Sequence, residues 1–211
     1  MALIAINVLL DPDAATVEKA RAVNARLRES YPDGFALDAN HAPHITLLQR
    51  FVRTEDLDPF AKAVAEGLRT APPTRWDSKA IGYYDLAYKN LGLVGIVIEP
   101  TEDLRRLQQR VIDAAAPFAA EKGTGEAFAP RLDGGSISQP TVDYVNAFVG
   151  PRTGANYNPH LTVGIGTRDF VDALKAEPFE PFPFRATSVS LYQLGDFGVA
   201  QRKLRDLHRL R

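Results

Sequence analysis

Two of the four histidines in this 211-residue chain lie in copies of one frame, Pro43-His44-Ile45-Thr46-Leu47 and Pro159-His160-Leu161-Thr162-Val163. Each reads Pro, His, apolar, Thr, apolar. Proline cannot donate to a sheet ladder and suits the first position of a strand. A strand beginning there alternates its side chains, so His44 and Thr46 share one face while Ile45 and Leu47 take the other, and His160 and Thr162 do the same. Imidazole titrates near neutrality and serves as a base when neutral and as an acid when protonated. Two imidazoles face to face could take a proton from the oxygen attacking a phosphodiester and return one to the oxygen that leaves. The hydroxyls of Thr46 and Thr162, one pleat repeat from their histidines, are spaced to hold the non-bridging oxygens and the charge that develops on them. The two frames are nearly equivalent, so their spacing leaves open which histidine is the base and which the acid.

Other candidate groups read less sharply. His41 and His44 are close in sequence, but Pro43 between them forbids the helical spacing that makes such pairs useful to zinc, and no metal cofactor is expected. Arg50 has the parity of His44, yet at about 20 Å along a strand it lies too far to touch the same phosphate. Gly164 and Gly166 either continue the His160 face without side chains, leaving room for a ligand, or mark a bulge. Tyr83, Tyr84, Tyr88 and Tyr157 are candidates for stacking on a base or for ordinary core and rim packing. His208 falls in a basic terminal segment.

The elements that must position the frames follow from periodicity and stop signals. Ala2 to Leu10 reads as a strand closed by Asp11-Pro12, and Asp13 to Ser30 as a helix with Asp13 as N-cap. His44 to Val52 is the first motif strand, and Thr54 to Leu68 opens with a helix-start signature. Arg75 to Tyr88 and Leu91 to Ile98 read as strands joined through Lys89-Asn90, and Thr101 to Ala116 as a capped amphipathic helix. Residues Pro117 to Pro159 form a Gly/Pro-rich connection with a short apolar segment at Thr141 to Val149. Such a connection either shapes a cleft or makes a solvated excursion. His160 to Ile165 is the second motif strand, Phe170 to Leu174 a short helix and Phe184 to Leu194 a strand. Asp196-Phe197-Gly198 is a turn. In the last segment Val199, Leu204, Leu207 and Leu210 amid Arg and Lys predict an amphipathic helix. The order predicts an α+β fold, one domain over residues 1–211 built of two related lobes, with mostly antiparallel sheet, outer helices and a central cleft carrying one motif strand from each lobe.

The bulk composition excludes several classes. A formal net charge of −1 argues against a dedicated nucleic-acid scaffold but leaves room for a local phosphate pocket. With no cysteine, there is no disulfide, thiolate metal site or cysteine nucleophile. The apolar run Ala2 to Leu10 is interrupted by Asn7 and lacks basic residues before it, so it reads as a strand and not a signal peptide. No stretch has the length of a membrane span. The expectation is a cytoplasmic monomer with no membrane partner.

The paired His-apolar-Thr-apolar motifs, one in each half of the chain, resemble those of the two-histidine (2H) phosphoesterase superfamily, and within it the 2′-5′ RNA ligase-like and cyclic phosphodiesterase proteins. The resemblance implies a bilobal α+β fold and no metal cofactor. It implies chemistry on a 2′,3′-cyclic phosphate or 2′-5′ phosphoester of a nucleotide or RNA end, with His44 and His160 as the acid–base pair and Thr46 and Thr162 as phosphate-binding hydroxyls. Relative to compact bacterial members, the connection before the second motif is long. The rival expectations are a nucleotide-binding module that keeps the pocket without turnover, an end-joining activity using the same groups in reverse, and a component acting on RNA through protein partners.

Overall fold

The computed structural model describes residues 1–38, 40–69, 78–131 and 133–210. In chain order the elements are β1 (Leu3–Pro12), α1 (Ala14–Ser30), β2 (Ile45–Arg53), α2 (Leu57–Arg69), β3 (Ser78–Tyr88), β4 (Leu91–Ile98), α3 (Glu102–Ala115), α4 (Gln139–Asn146), β5 (His160–Thr167), α5 (Arg168–Ala176), β6 (Phe182–Phe184), β7 (Ala186–Leu194) and β8 (Ala200–Arg209). The strands make one eight-stranded sheet in the order β6-β3-β4-β5-β2-β1-β7-β8, with every neighbouring pair antiparallel. The fold is therefore α+β, as the order of elements predicts.

The sheet has two four-stranded halves, and the two motif strands are the inner edges where they meet. Between β2 and β5 the ladder registers a single pair, Ile45 opposite Leu161. Both side chains are fully buried and anchor the seam in the main core. That core lies between one face of the sheet and helices α1, α2, α3 and α5. It takes Ile6, Val8 and Leu10 from β1, Leu48 and Val52 from β2, Val94 and Ile96 from β4, Leu27 from α1, Leu68 from α2 and Val111 from α3. Local chemistry starts the helices where expected: Asp13 accepts from the Thr16 N–H at 2.9 Å, and Thr101 Oγ1 from the Leu104 N–H at 3.3 Å.

Each motif strand carries a bulge one residue after its threonine. In β2, Leu9 faces Thr46 but Val8 faces Leu48, so Leu47 is the extra residue. In β5, Gly95 faces Thr162 but Val94 faces Gly164, so Val163 is extra. A bulge shifts the alternation by one, which corrects two readings. Arg50 does not share the face of His44; it has the parity of Leu48 and Val52, while Gln49 and Phe51 take the site face. Gly164 and Gly166 turn toward α1, where an added Cβ would lie 2.8 Å from Asn24 Nδ2 and 2.8 Å from Leu27 Cδ2 respectively. They admit a helix, not a ligand. Gly164, at φ 150°, also supplies backbone that a larger residue rarely adopts.

The final segment is strand β8, not a helix. Its pairing with β7 skips Gln201, Leu204 and Leu207, three bulged residues that stretch a two-residue period toward three. The three-residue spacing of Leu204, Leu207 and Leu210 records these bulges. His208 accordingly lies in β8, paired with Val189. Of the Arg75 to Tyr88 segment, the strand begins at Ser78, and 75–77 lie outside the described residues. The hairpin turn at Lys89-Asn90 and the short helix near Phe170 appear as expected.

Phe148 and Tyr157 of the Gly/Pro-rich connection join the main core, while its earlier part packs on the opposite face of the sheet. Ala127, Phe128, Val142 and Val145 cluster there with Ala5, Phe51 and Leu194. Phe128 meets Phe51 edge-on at 5.6 Å, and Gly123 lies so close to Phe51 that an added Cβ would sit 2.1 Å from its ring. The segment walls the face that carries the motif histidines. No helix among the described residues is long and apolar enough to cross a membrane.

Candidate active site

The single Ile45–Leu161 pair fixes the arrangement of four polar groups. In an antiparallel ladder that register sets His44 across from Thr162 and Thr46 across from His160. Histidines and threonines thus alternate around a square on one face, with the two imidazoles on its diagonal. In a regular ladder such diagonal neighbours stand about 7–8 Å apart, and more where strands splay. All four side chains are partly open to solvent, while Ile45 and Leu161 behind them are sealed.

The prolines of the frame do more than begin strands. His44 Nδ1–H donates to the Ala42 carbonyl at 2.8 Å, and His160 Nδ1–H to the Asn158 carbonyl at 2.7 Å. In both cases the acceptor is two residues back, across the proline. The residue before a proline is held extended, so each X-Pro-His step presents the same carbonyl to its own ring. Both neutral imidazoles then carry their proton on Nδ1 and leave Nε2 as the free base.

The carbonyls freed at the two bulges are also held alike. Asn24, buried on α1, donates to the Val163 carbonyl at 2.8 Å and to the Phe35 carbonyl at 2.9 Å, and accepts from the Leu37 N–H at 3.2 Å. Gln108, buried on α3, donates to the Leu47 carbonyl at 3.1 Å and the Arg152 carbonyl at 3.3 Å, and accepts from the Gly154 N–H at 3.3 Å. One buried amide per half-sheet therefore grips the residue that follows the motif threonine. The Tyr157 hydroxyl adds a third tie by donating to the Thr46 carbonyl at 3.0 Å.

The two rings differ in their neighbours. Asn7, fully buried on β1, directs Nδ2 at His44 Nε2 (3.2 Å) and at Thr46 Oγ1 (3.4 Å), and its Oδ1 has no partner among the described residues. Asp11 acts on His44 through its charge. Beside His160 stands Tyr84, its ring edge-on at 4.5 Å and its hydroxyl hydrogen-bonded to Thr162. Tyr84 reaches them from β3 because Gly95 lies between: an added Cβ there would be 2.2 Å from the tyrosine ring. Burial holds the His44 pKa below the ordinary value, opposed by the Ala42 carbonyl and the Asp11 charge. Burial pushes His160 down to about 4, the Asn158 carbonyl opposing it while the charges of His44 and Arg152 add to it. The same burial raises Tyr84.

The structure thus brings His44, Thr46, His160 and Thr162 to one face, adds Tyr84 from the candidate tyrosines, and leaves the other candidates apart. His41 stacks on Phe35 at 5.0 Å with Asp38 beside it. Tyr83 faces the opposite way against Phe179, Tyr88 is exposed at the hairpin, and Tyr157 is buried. Among the described residues no three His, Cys, Asp or Glu side chains converge as metal ligands. Asn7, Asn24 and Gln108 are additions. Asn7 had a visible signal, an amide interrupting the apolar run of β1; Asn24 and Gln108 had none beyond lying in helices.

A model of the 2′-5′ RNA ligase superfamily matches residues 10–196. Among solved structures, the chain is similar to that of TT0787 of Thermus thermophilus, with a TM-score of 0.53 and 15% identity over 99% of this chain and 98% of the other. It also matches Usb1 of Kluyveromyces marxianus, with a TM-score of 0.44 and 9% identity over 98% of this chain and 97% of that one. No curated protein matches.

Proposed function

We propose that this chain, which belongs to the 2′-5′ RNA ligase superfamily of two-histidine phosphoesterases, is a metal-independent phosphodiesterase acting on a 2′,3′-cyclic phosphate or 2′-5′ phosphoester at a nucleotide or RNA end. Membership supports a phosphoesterase-type activity. The observation that carries the finer reading is the square of alternating histidines and threonines about the Ile45–Leu161 pair, with both imidazole tautomers fixed. A phosphate on that square lies between two Nε2 atoms and has a hydroxyl on either side. For a cyclic phosphate, one histidine removes a proton from water as the water oxygen bonds to phosphorus. The bond from phosphorus to a ribose oxygen breaks, and the second histidine gives that oxygen its proton. Thr46 and Thr162 donate to the non-bridging oxygens as charge builds. Joining ends would use the same groups, with a ribose hydroxyl in place of water attacking the cyclic phosphate while the ring P–O bond breaks and its oxygen takes the second histidine's proton.

The neighbouring charges support one assignment of the roles. Asp11 favours the imidazolium at His44, whereas Arg152 disfavours it at His160. This supports His44 as the acid and His160 as the base. The Asn7 amide suits an acid that cycles: its Nδ2 faces the unprotonated Nε2, and after turning over, the unpartnered Oδ1 would accept from a protonated one.

The test is hydrolysis of 2′,3′-cyclic nucleotides and 2′-5′ dinucleotides with and without EDTA. Turnover that persists in EDTA, and that drops by about 10²-fold or more in His44→Ala and in His160→Ala, is the expected result. A substrate whose leaving group needs no protonation should rescue His44→Ala far more than His160→Ala. Metal-restored activity, or wild-type turnover in either variant, would overturn the reading.

A further inference from the structure

We propose that Arg152 is a specificity-determining residue that receives a second phosphate of the substrate, so that the preferred substrate is a nucleotide carrying a phosphate besides the reacting one. The inference rests on the phosphodiesterase reading above. Arg152 belongs to the Gly/Pro-rich connection, yet its backbone is fixed: its N–H donates to the Phe148 carbonyl at 3.1 Å, and its carbonyl accepts from Gln108 at 3.3 Å. Gln108 is the buried amide that also holds the Leu47 carbonyl, so one side chain ties the arginine to the strand of His44 and Thr46. The guanidinium lies over the Tyr144 ring at 5.1 Å, a contact that keeps the long side chain ordered.

From there its charge reaches His160 and the hydroxyls of Tyr84 and Tyr144. No carboxylate pairs with it among the described residues, whereas Arg26, Arg131 and Arg168 each hold one at 2.5 Å. A cation with no carboxylate partner among the described residues opposes the protonation of His160. An anion at that place satisfies the guanidinium and cancels its field on the ring. The reacting phosphate already has Thr46, Thr162 and both imidazoles around it. Arg152 is exposed, hydrogen-bonds to none of the four among the described residues, and acts on His160 through its charge, which makes it a seat for a neighbouring phosphate. Guanidinium suits that task because its planar fork meets a phosphate with two parallel N–H groups.

The experiment compares kcat/KM for adenosine 2′,3′-cyclic phosphate with and without an added 5′-phosphate, in wild type, Arg152→Ala and Arg152→Lys. The wild type should favour the 5′-phosphorylated compound by about tenfold to a hundredfold, the scale of a charged hydrogen bond. The two values should converge in Arg152→Ala and separate partly again in Arg152→Lys, and the wild-type preference should shrink as salt is raised. A wild type without preference, or an Arg152→Ala that loses equally on both compounds, would overturn the inference while leaving the phosphodiesterase reading intact. If neither compound turns over, that reading fails. The inference is then decided by calorimetric binding of adenosine 3′,5′-bisphosphate against adenosine 3′-monophosphate: selective weakening of the bisphosphate by Arg152→Ala supports it, and its absence refutes it.

Discussion

Acidity is the perturbation to which this site should respond most directly. Burial holds His160 at about 4 against an ordinary 6.5, and holds His44 below the ordinary value as well. At pH 7 the His160 ring is almost entirely neutral in the free protein, as the proposed base requires, whereas His44, the proposed acid, must carry a proton although burial holds its pKa below the ordinary value. The proposed reaction needs one neutral and one protonated ring, so the competent form is scarce at neutrality and falls about tenfold for each further pH unit. The alkaline limb of kcat/KM should therefore turn below 6.5, with the acidic limb near 4, and the two values belong to the coupled pair. A bound phosphate stabilises the imidazolium, which moves the alkaline limb of kcat to higher pH than that of kcat/KM. Stability should follow the same ionisation. Because the folded His160 binds its proton more weakly than the unfolded one, the unfolded chain takes up more protons between about 4 and 6.5, and stability falls as pH drops through that window. At about 1.4 kcal/mol per tenfold step, the loss from His160 alone approaches about 3 kcal/mol. Initial rates from about pH 4 to pH 9 and thermal melts over the same range check both arms, with His160→Gln expected to flatten the acid loss of stability. A kcat/KM that stays level or rises from neutral to alkaline pH would refute the two-histidine argument.

Three further outcomes follow from the same geometry. Thr46→Val and Thr162→Val should each lower kcat by about 100- to 1000-fold if the hydroxyls act on the transition state; an effect within error in both would reduce them to strand residues. Asn24→Leu and Gln108→Leu each strand a bulge carbonyl and should cost about 1–3 kcal/mol in urea unfolding, and midpoints like wild type would show that the amides do not hold the bulges. Gly95→Ala should drive the Tyr84 ring from His160 and destabilise by about 1–3 kcal/mol, seen as a lower Tm; an unchanged melt would mean that the ring yields without cost.

The chemistry was more legible than its supports. A strand places residues two apart on one face, so His-x-Thr twice over, with a proline before each, named four groups and their shared orientation. Periodicity fails at an extra residue. The bulges at Leu47 and Val163 inverted the faces of Arg50, Gly164 and Gly166, and those of β8 gave a strand the spacing of a helix. Long-range partners were hidden for another reason. Nothing local marks Tyr84 among its neighbouring tyrosines; it is chosen by Gly95 on the adjacent strand. Gln108 is one of two consecutive glutamines, and only the helix phase buries it.

The single-pair seam between the half-sheets has a mechanical consequence. If the halves rock against each other, the Ile45–Leu161 pair is the hinge pin. Points on a pivot travel least, and displacement grows with the radius from it. His44, Thr46, His160 and Thr162 flank the pin directly, so they keep their mutual spacing through such a motion, while a wall farther out sweeps the longer arc. Admitting a substrate and keeping four groups in register therefore need not compete, because the first is done at the rim and the second at the axle.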